Sequence, residues 1–296
     1  MTVSHSQVPA ELAVTPSTAP ELYLDLLKKC LTRYAFPERR RPPWRSPLKK
    51  WHGFKWYVYQ LIGDILARQN LEIVKKIPFD PDERMHGEDW PAEAETMIGL
   101  KRLDNLQNCI EDAMRSGVPG DLIETGVWRG GATIFMRAVL KAHGETQRLV
   151  WVADSFEGLP LPDTQKYPGD SGNWTSEVLR YLAVSMDEVK ANFAKYDLLD
   201  DQVRFLKGWF KDTLPKAPIE KLAVLRLDGD MYSSTIEVLN ALYPKLSVGG
   251  YAIIDDYNSV PACKKAVDDF RREHGIKEET RSIDREAIFW QRCAGP

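Results

Sequence analysis

From about Thr96 onward the apolar residues alternate between helical stripes and short strand-like runs. Leu100, Leu103, Leu106 and Ile110 recur at helical spacing and predict a helix that ends before Gly117. DLIETGV (121–127) reads as a strand, followed by a helix from Ala132 to His143. LVWVADS (149–155) is the next strand; after a long loop a helix spans Ser185 to Tyr196. QVRFLKG (202–208), LAVLRLDGD (222–230) and GGYAIIDD (249–256) are strand-like, with helices from Thr235 to Tyr243 and from Ala262 to His274. Strands alternating with helices imply a parallel sheet with right-handed crossovers. The last two runs, EETRSID and AIFWQRC, are close enough to close that sheet as an antiparallel pair.

The first third is patterned differently. Residues 1–20 are a Pro-, Ser- and Thr-rich tail, and Leu22, Leu26, Leu27 and Leu31 then mark a helix. From Lys28 to Lys50 nine basic residues face one acid, Glu38, a local charge of +8. Such a run suits an anionic partner, but its prolines oppose an amphipathic helix and favour a solvated linker. Phe54 to Ala67 reads as a second helix, and the acidic segment over 80–95, broken by Pro and Gly, as a loop.

Composition narrows the class. The chain has 296 residues, 43% of them hydrophobic, and a net charge of −3. These values describe a folded protein and give no general reason to expect nucleic-acid binding. No apolar run is long enough to span a membrane, and Met1 to Pro20 lacks a signal-peptide layout, so a cytoplasmic protein is expected. Cys30, Cys109, Cys263 and Cys293 are scattered, which argues against a zinc site or a disulfide framework.

Ligands of an open parallel sheet bind outside the carboxyl ends of its strands. The first strand ends in Glu124-Thr125-Gly126-Val127-Trp128-Arg129-Gly130-Gly131, so Trp128 stands where a dinucleotide fingerprint places its second glycine. The second ends at Asp154, an acid that can bind both ribose hydroxyls of a nucleoside or cap the following segment. Trp209 and Phe210 end the third, where they can sandwich an adenine or fill core. The fourth ends in Asp228-Gly-Asp230 and the fifth in Asp255-Asp256. Strands about 5 Å apart bring these four carboxylates together, and like charges raise one another's pKa. A divalent cation resolves the repulsion, with hard oxygen ligands suiting Mg²⁺, Ca²⁺ or Mn²⁺. Asp228, Asp255 and Asp256 are the first choice as ligands and Asp230 the spare acid; the plainer alternative is that some of them are helix N-caps or pair with Arg226.

The runs ETGVWRGG, ADSFEGLP, VRFLKGWFKDTLP, RLDGDMYSST and SVGGYAIIDDY, with WPAEAETMIGLKRLDNL upstream, resemble the macrocin O-methyltransferase family over roughly Arg84 to Arg292. That resemblance implies a class I methyltransferase, Rossmann-like α/β fold: a seven-stranded, mostly parallel sheet with a final antiparallel pair. It places the methyltransferase domain at 86–296 and leaves 1–85 as tail, basic linker and helical extension. It implies S-adenosylmethionine and Mg²⁺ as cofactors, a glycosylated small-molecule acceptor, and a homodimer or larger. Glu124, Thr125, Gly126, Val127 and Trp128, with Asp154, Ser155, Phe156, Glu157 and Gly158, would surround the cofactor. Thr96 and Met97 would close over it, and Trp209 and Phe210 would lie beside its adenine. Asp228, Asp255 and Asp256 would hold Mg²⁺, and Asp230 would be the general base. Catechol methyltransferases, the alternative class, carry a Lys three residues after the first metal acid; here that position is Met231. A non-catalytic nucleoside-binding subunit is the other alternative. Of the histidines only His86, expected in an exposed loop, offers a substitute base. The segment from Pro162 to Trp174 is expected to act as a lid.

Overall fold

The computed structural model describes residues 18–36, 39–41, 54–71, 75–171 and 181–293. Nearly all of the expected tail, residues 37–38 and 42–50 of the basic stretch and the last residues of the expected lid lie outside the described residues.

Helix α1 (Ala19–Leu31) opens on a capping box in which Thr18 Oγ1 accepts from the Glu21 N–H and Glu21 accepts from the Thr18 N–H at 2.9 Å. It buries Leu24, Leu27 and Leu31, a face one residue off the expected stripe, so Leu22 and Leu26 stay exposed. Strand β1 (Arg39–Arg41) precedes helix α2 (Phe54–Ala67) and pairs antiparallel with strand β2 (Lys75–Ile77). Three residues of the expected linker are therefore a ribbon, whose backbone groups find partners across it. The acidic segment read as a loop contains helix α3 (Pro81–His86). Asp80 caps it by accepting from the N–H groups of Asp82 (2.9 Å) and Glu83 (3.4 Å), Pro81 fits its first turn, and Gly87 ends it at φ 75°.

The remaining elements are helix α4 (Leu100–Arg115), strand β3 (Asp121–Thr125), helix α5 (Gly131–Ala142), strand β4 (Val150–Asp154), helix α6 (Met186–Lys195), strand β5 (Val203–Lys207), helix α7 (Phe210–Thr213), strand β6 (Leu222–Leu227), helix α8 (Tyr232–Leu242), strand β7 (Leu246–Ile254), helix α9 (Pro261–Glu273), and strands β8 (Arg281–Ser282) and β9 (Ile288–Gln291). The sheet order is β5-β4-β3-β6-β7-β9-β8, with β9 antiparallel to β7 and β8 antiparallel to β9. The seven-stranded α/β fold with its antiparallel end is thus present.

Strand alternation separates two cores. Leu122, Val150, Val152 and Val224 face α1, α4, α5 and α6, whereas Ile123, Trp151, Ala153 and Leu225 face α8 and α9. Helix α1 belongs to the first core and lies against α5. Strand β6 is buried along its whole length. Its neighbours β3 and β7 run parallel to it, so the carboxyl ends of these three strands meet at one edge of the molecule.

Candidate active site

Those strand ends open into a cavity of about 690 Å³. Thr96, Met97, Glu124, Gly126, Val127, Trp128, Asp154, Ser155, Gly158, Trp209 and Phe210 line it, together with Asp228, Asp230, Asp255 and Asp256. Three residues named for the cofactor do not. Thr125 is buried with its hydroxyl donating to the Arg226 carbonyl (3.4 Å), the Phe156 ring packs in the core against Phe205, and Glu157 is exposed. His86 is buried on α3, not exposed, and is absent from the lining; its Nδ1 lies 2.9 Å from the Asp82 carbonyl.

The loop after β3 is built by close approach. Gly126 has φ 87°, and a Cβ there would sit 1.7 Å from the Asp228 carbonyl oxygen. Only glycine lets the β3 and β6 loops touch in this way. Trp128 (φ 47°), Phe156 (φ 58°) and Asp230 (φ 54°) adopt left-handed backbone after three different strands. Such clustering of sparsely populated conformations is typical of ligand sites. Asp154 links two of the loops. One of its oxygens accepts from the Val127 N–H (2.7 Å) and the other from the Phe156 N–H (2.7 Å). It is therefore a cap that ties the loops after β3 and β4 together, with Ser155 Oγ lying 3.4 Å from the oxygen that Phe156 holds. Burial raises its pKa, opposed by these backbone donors.

The acid cluster lies at the ends of β6 and β7. Asp228, Asp255 and Asp256 each place a carboxylate oxygen within 4.8 Å of the others. Pairing with Arg226 and crowding of the acids both occur. Arg226, 1% exposed, bonds Glu124, Asp255 and Asp228 (2.8 Å to the last). Arg102 of α4 bonds Asp255 (2.6 Å), Asp284 (2.7 Å) and Glu286. Among the described residues no cation is ion-paired with Asp230 or Asp256; the Asp230 N–H donates to Asp256 at 3.3 Å. Burial, then Asp228 and Asp255, push the Asp230 carboxyl up to about 7. Burial and Asp255 push Asp228 up to about 6 against Arg226, and Asp256 is raised by burial, then by Asp230.

The donor set fits a hard divalent cation: it is all oxygen, clustered, and incompletely neutralised. Glu124 is also suited to a cationic ligand group. Its Oε1 is held by Arg226, its buried Oε2 has no hydrogen-bond partner among the described residues, and burial pushes it up to about 8 despite Arg226.

These raised pKa values set the sign of a pH effect. A carboxyl that titrates higher when folded binds more protons in the native than in the unfolded state, so its contribution falls as pH rises from the unfolded value towards about 7. Metal-free protein in EDTA is accordingly expected to melt at lower temperature at pH 8 than at pH 5. The slope should be shallower in Asp230→Asn, checked by calorimetric melting; equal slopes would contradict the crowding.

A family model described as Macrocin-O-methyltransferase (TylF) matches residues 20–292. The chain belongs to the macrocin O-methyltransferase family. The match reaches upstream of the Arg84 limit of the motif resemblance and includes α1. The chain is 49% identical over 276 residues to the 8-demethyl-8-(2,3-dimethoxy-alpha-L-rhamnosyl)-tetracenomycin-C 4'-O-methyltransferase of Streptomyces olivaceus, covering 93% of this chain and 94% of that one. It is 57% identical over 209 residues to the demethyldecarbamoylnovobiocin O-methyltransferase of Streptomyces niveus (71% and 80% covered). It is 46% identical over 284 residues to the mycinamicin III 3''-O-methyltransferase of Micromonospora griseorubida (95% and 100% covered). Among solved structures, the O-methyltransferase NovP superposes with a TM-score of 0.79 at 47% identity, covering 93% of this chain and 100% of that one. The calicheamicin methyltransferase CalS11, at 17% identity and a TM-score of 0.53, shares the fold. As a macrocin O-methyltransferase family member with this fold, the protein is an S-adenosylmethionine-dependent O-methyltransferase. Among the described residues no helix is long and apolar enough to cross a membrane.

Several lining residues carried no sequence signal as site residues. Arg102 and Glu286 come from elements distant in sequence. Trp90 and Tyr181, whose rings stack at 6.3 Å and 10°, form part of the wall. The expected lid is tethered where it is described. Asp170, fully buried, accepts from the N–H groups of Tyr232 (2.6 Å) and Ser233 (3.1 Å), supplying the cap that Met231 cannot give α8.

Proposed function

We propose that this enzyme transfers the methyl group of S-adenosylmethionine to a sugar hydroxyl of a glycosylated small molecule, with Asp228, Asp255 and Asp256 holding Mg²⁺ and Asp230 as general base. The observation that carries the reading is the opening of all four aspartates into one cavity with the Gly126 loop and Asp154. Relatives of 46–57% identity support the acceptor class, one of them named for a rhamnosylated acceptor.

A sugar hydroxyl is scarcely ionised at neutral pH and needs help to become a nucleophile. When bound, Mg²⁺ supplies Lewis-acid stabilisation of the developing alkoxide, worth several kcal/mol. Asp230 takes the hydroxyl proton on its carboxylate, and burial, with Asp228 and Asp255 nearby, gives it the raised basicity the task needs. Glu124 and Asp154 orient the cosubstrate, the first through its free Oε2 and the second by fixing the loops after β3 and β4 that line the cavity. Trp209 and Phe210 flank the adenine, and Thr96 and Met97 cover the ligand. In-line positioning of donor and acceptor contributes on the order of 7–11 kcal/mol.

The test is methyl transfer from labelled S-adenosylmethionine to a rhamnosylated polyketide, set against a free catechol and against the same polyketide without its sugar. Label on the glycoside alone, located on a sugar oxygen by NMR, is the expected result. Transfer to the catechol or to the sugar-free polyketide with equal efficiency would overturn the acceptor class.

A further inference from the structure

Asp255 differs from the other carboxylates of the cluster in how it is held. Its Oδ1 accepts from Arg226 and its Oδ2 accepts from Arg102 at 2.6 Å. The two guanidinium groups reach it from different elements, one on β6 and the other on α4. Arg102 is itself fixed at its other nitrogens, by Asp284 (2.7 Å) and Glu286 in the turn between β8 and β9. The Asp284 carboxylate is fully buried and also accepts from the N–H groups of Glu286 and Ala287 at 2.9 Å. Arg226 joins Asp255 to Asp228 (2.8 Å) and to Glu124.

A carboxylate has about four lone-pair positions, so one bond on each oxygen leaves room for a metal ion. Two forks at a set angle also remove the freedom of the side chain to rotate. Planar guanidinium groups do this better than an ammonium, which is a point charge on a flexible stem. A guanidinium beside a divalent cation is an electrostatic cost; Arg226 offsets it in part by favouring the ionised forms of the buried Asp228 and Glu124, and the directed bonds of both arginines also place the ligands.

We infer that Arg102 and Arg226 are positioning residues that pre-set the metal carboxylates, and that Arg226 alone also ties the metal subsite to the cofactor subsite through Glu124. The inference rests on the Mg²⁺ reading above. It yields a pattern that charge neutralisation or a general structural role does not. Arg102→Lys keeps the charge but loses the fork. It should weaken metal affinity by about 10–100-fold, the usual scale for losing a partner that orients a ligand, and leave affinity for S-adenosylhomocysteine unchanged. Arg226→Lys should weaken both. Asp284→Asn, which touches neither ligand, should weaken metal affinity through Arg102 and guards against misfolding of an arginine variant.

The experiment is titration calorimetry of the full-length protein with Mg²⁺, and separately with S-adenosylhomocysteine, with Mn²⁺ paramagnetic resonance as the spectroscopic check on ligand geometry. Loss of metal affinity in Arg102→Lys and Asp284→Asn, with cofactor affinity retained, supports the inference. Unchanged or tighter metal binding in both overturns it, as does a parallel fall in both affinities in Arg102→Lys. A wild-type protein that binds no divalent cation overturns the metal reading itself.

Discussion

Asp230→Asn is expected to lower kcat by about 10²–10⁴-fold, the span usual for losing a general base. The substitution is nearly isosteric, and asparagine tolerates the left-handed backbone of φ 54° that the position requires. The backbone N–H that donates to Asp256 is untouched, so the loop keeps its shape. Asp230 is also outside the group of three aspartates whose oxygens converge. Affinities for Mg²⁺ and S-adenosylhomocysteine should therefore stay within about twofold, the signature of an interaction made in the transition state and not in the ground state. The pH profile supplies the second readout. Burial, then crowding by Asp228 and Asp255, push this carboxyl up to about 7 in the metal-free protein. The base is its ionised form, so turnover rises with pH through its pKa, and a nearby cation moves that rise to lower pH. The rise should vanish in the variant. Undiminished turnover would dismiss Asp230 as the base.

The strand ends were legible because each carries residues with narrow uses. Glycine at 126 and acids at 154, 228, 230, 255 and 256 are poor choices inside a strand but natural where backbone turns into a cavity. Hydrophobic alternation placed the strands within a residue or a few of their observed bounds, and pairing along a parallel sheet then brought the ends together. What was not legible depends on contacts between distant segments. Nothing local marks Arg102, on an ordinary amphipathic helix, as the partner of an aspartate 153 residues away. Asp170 looks like one polar residue of a loose loop, yet it caps a helix that begins 62 residues later. The short α3 was hidden by its acids and proline, which read as loop-forming until seen as cap and first turn. Thr125, Phe156 and Glu157 sit within motifs, but neighbours in a motif turn to cavity, core or solvent, and sequence proximity does not reveal which way each turns.

Chelation is expected to reduce turnover by on the order of 10³-fold or more, since a Lewis acid worth several kcal/mol is removed. The charge arrangement gives the reason. Arg226 and Arg102 are committed to Asp228, Asp255, Glu124, Asp284 and Glu286, and no described cation is ion-paired with Asp256 or Asp230. Without a divalent ion the site is a crowd of carboxylates whose burial and like charge raise the pKa values of Asp230 and Asp256, which favours the protonated forms that cannot take a proton from the hydroxyl. EDTA treatment followed by dialysis should abolish activity, and Mg²⁺ should restore it. Asp256→Ala should resist that rescue at concentrations that saturate the wild type, because it removes one of the three converging ligands. Affinity for S-adenosylhomocysteine, measured by calorimetry in EDTA, should survive, because Asp154, Trp209 and the Gly126 loop lie outside the metal ligand set. Full activity in EDTA would refute the metal role and leave Asp230 and the arginine-held acids to do the chemistry alone. Loss of cofactor binding with the metal would show instead that the Glu124–Arg226–Asp228 chain makes the two subsites one.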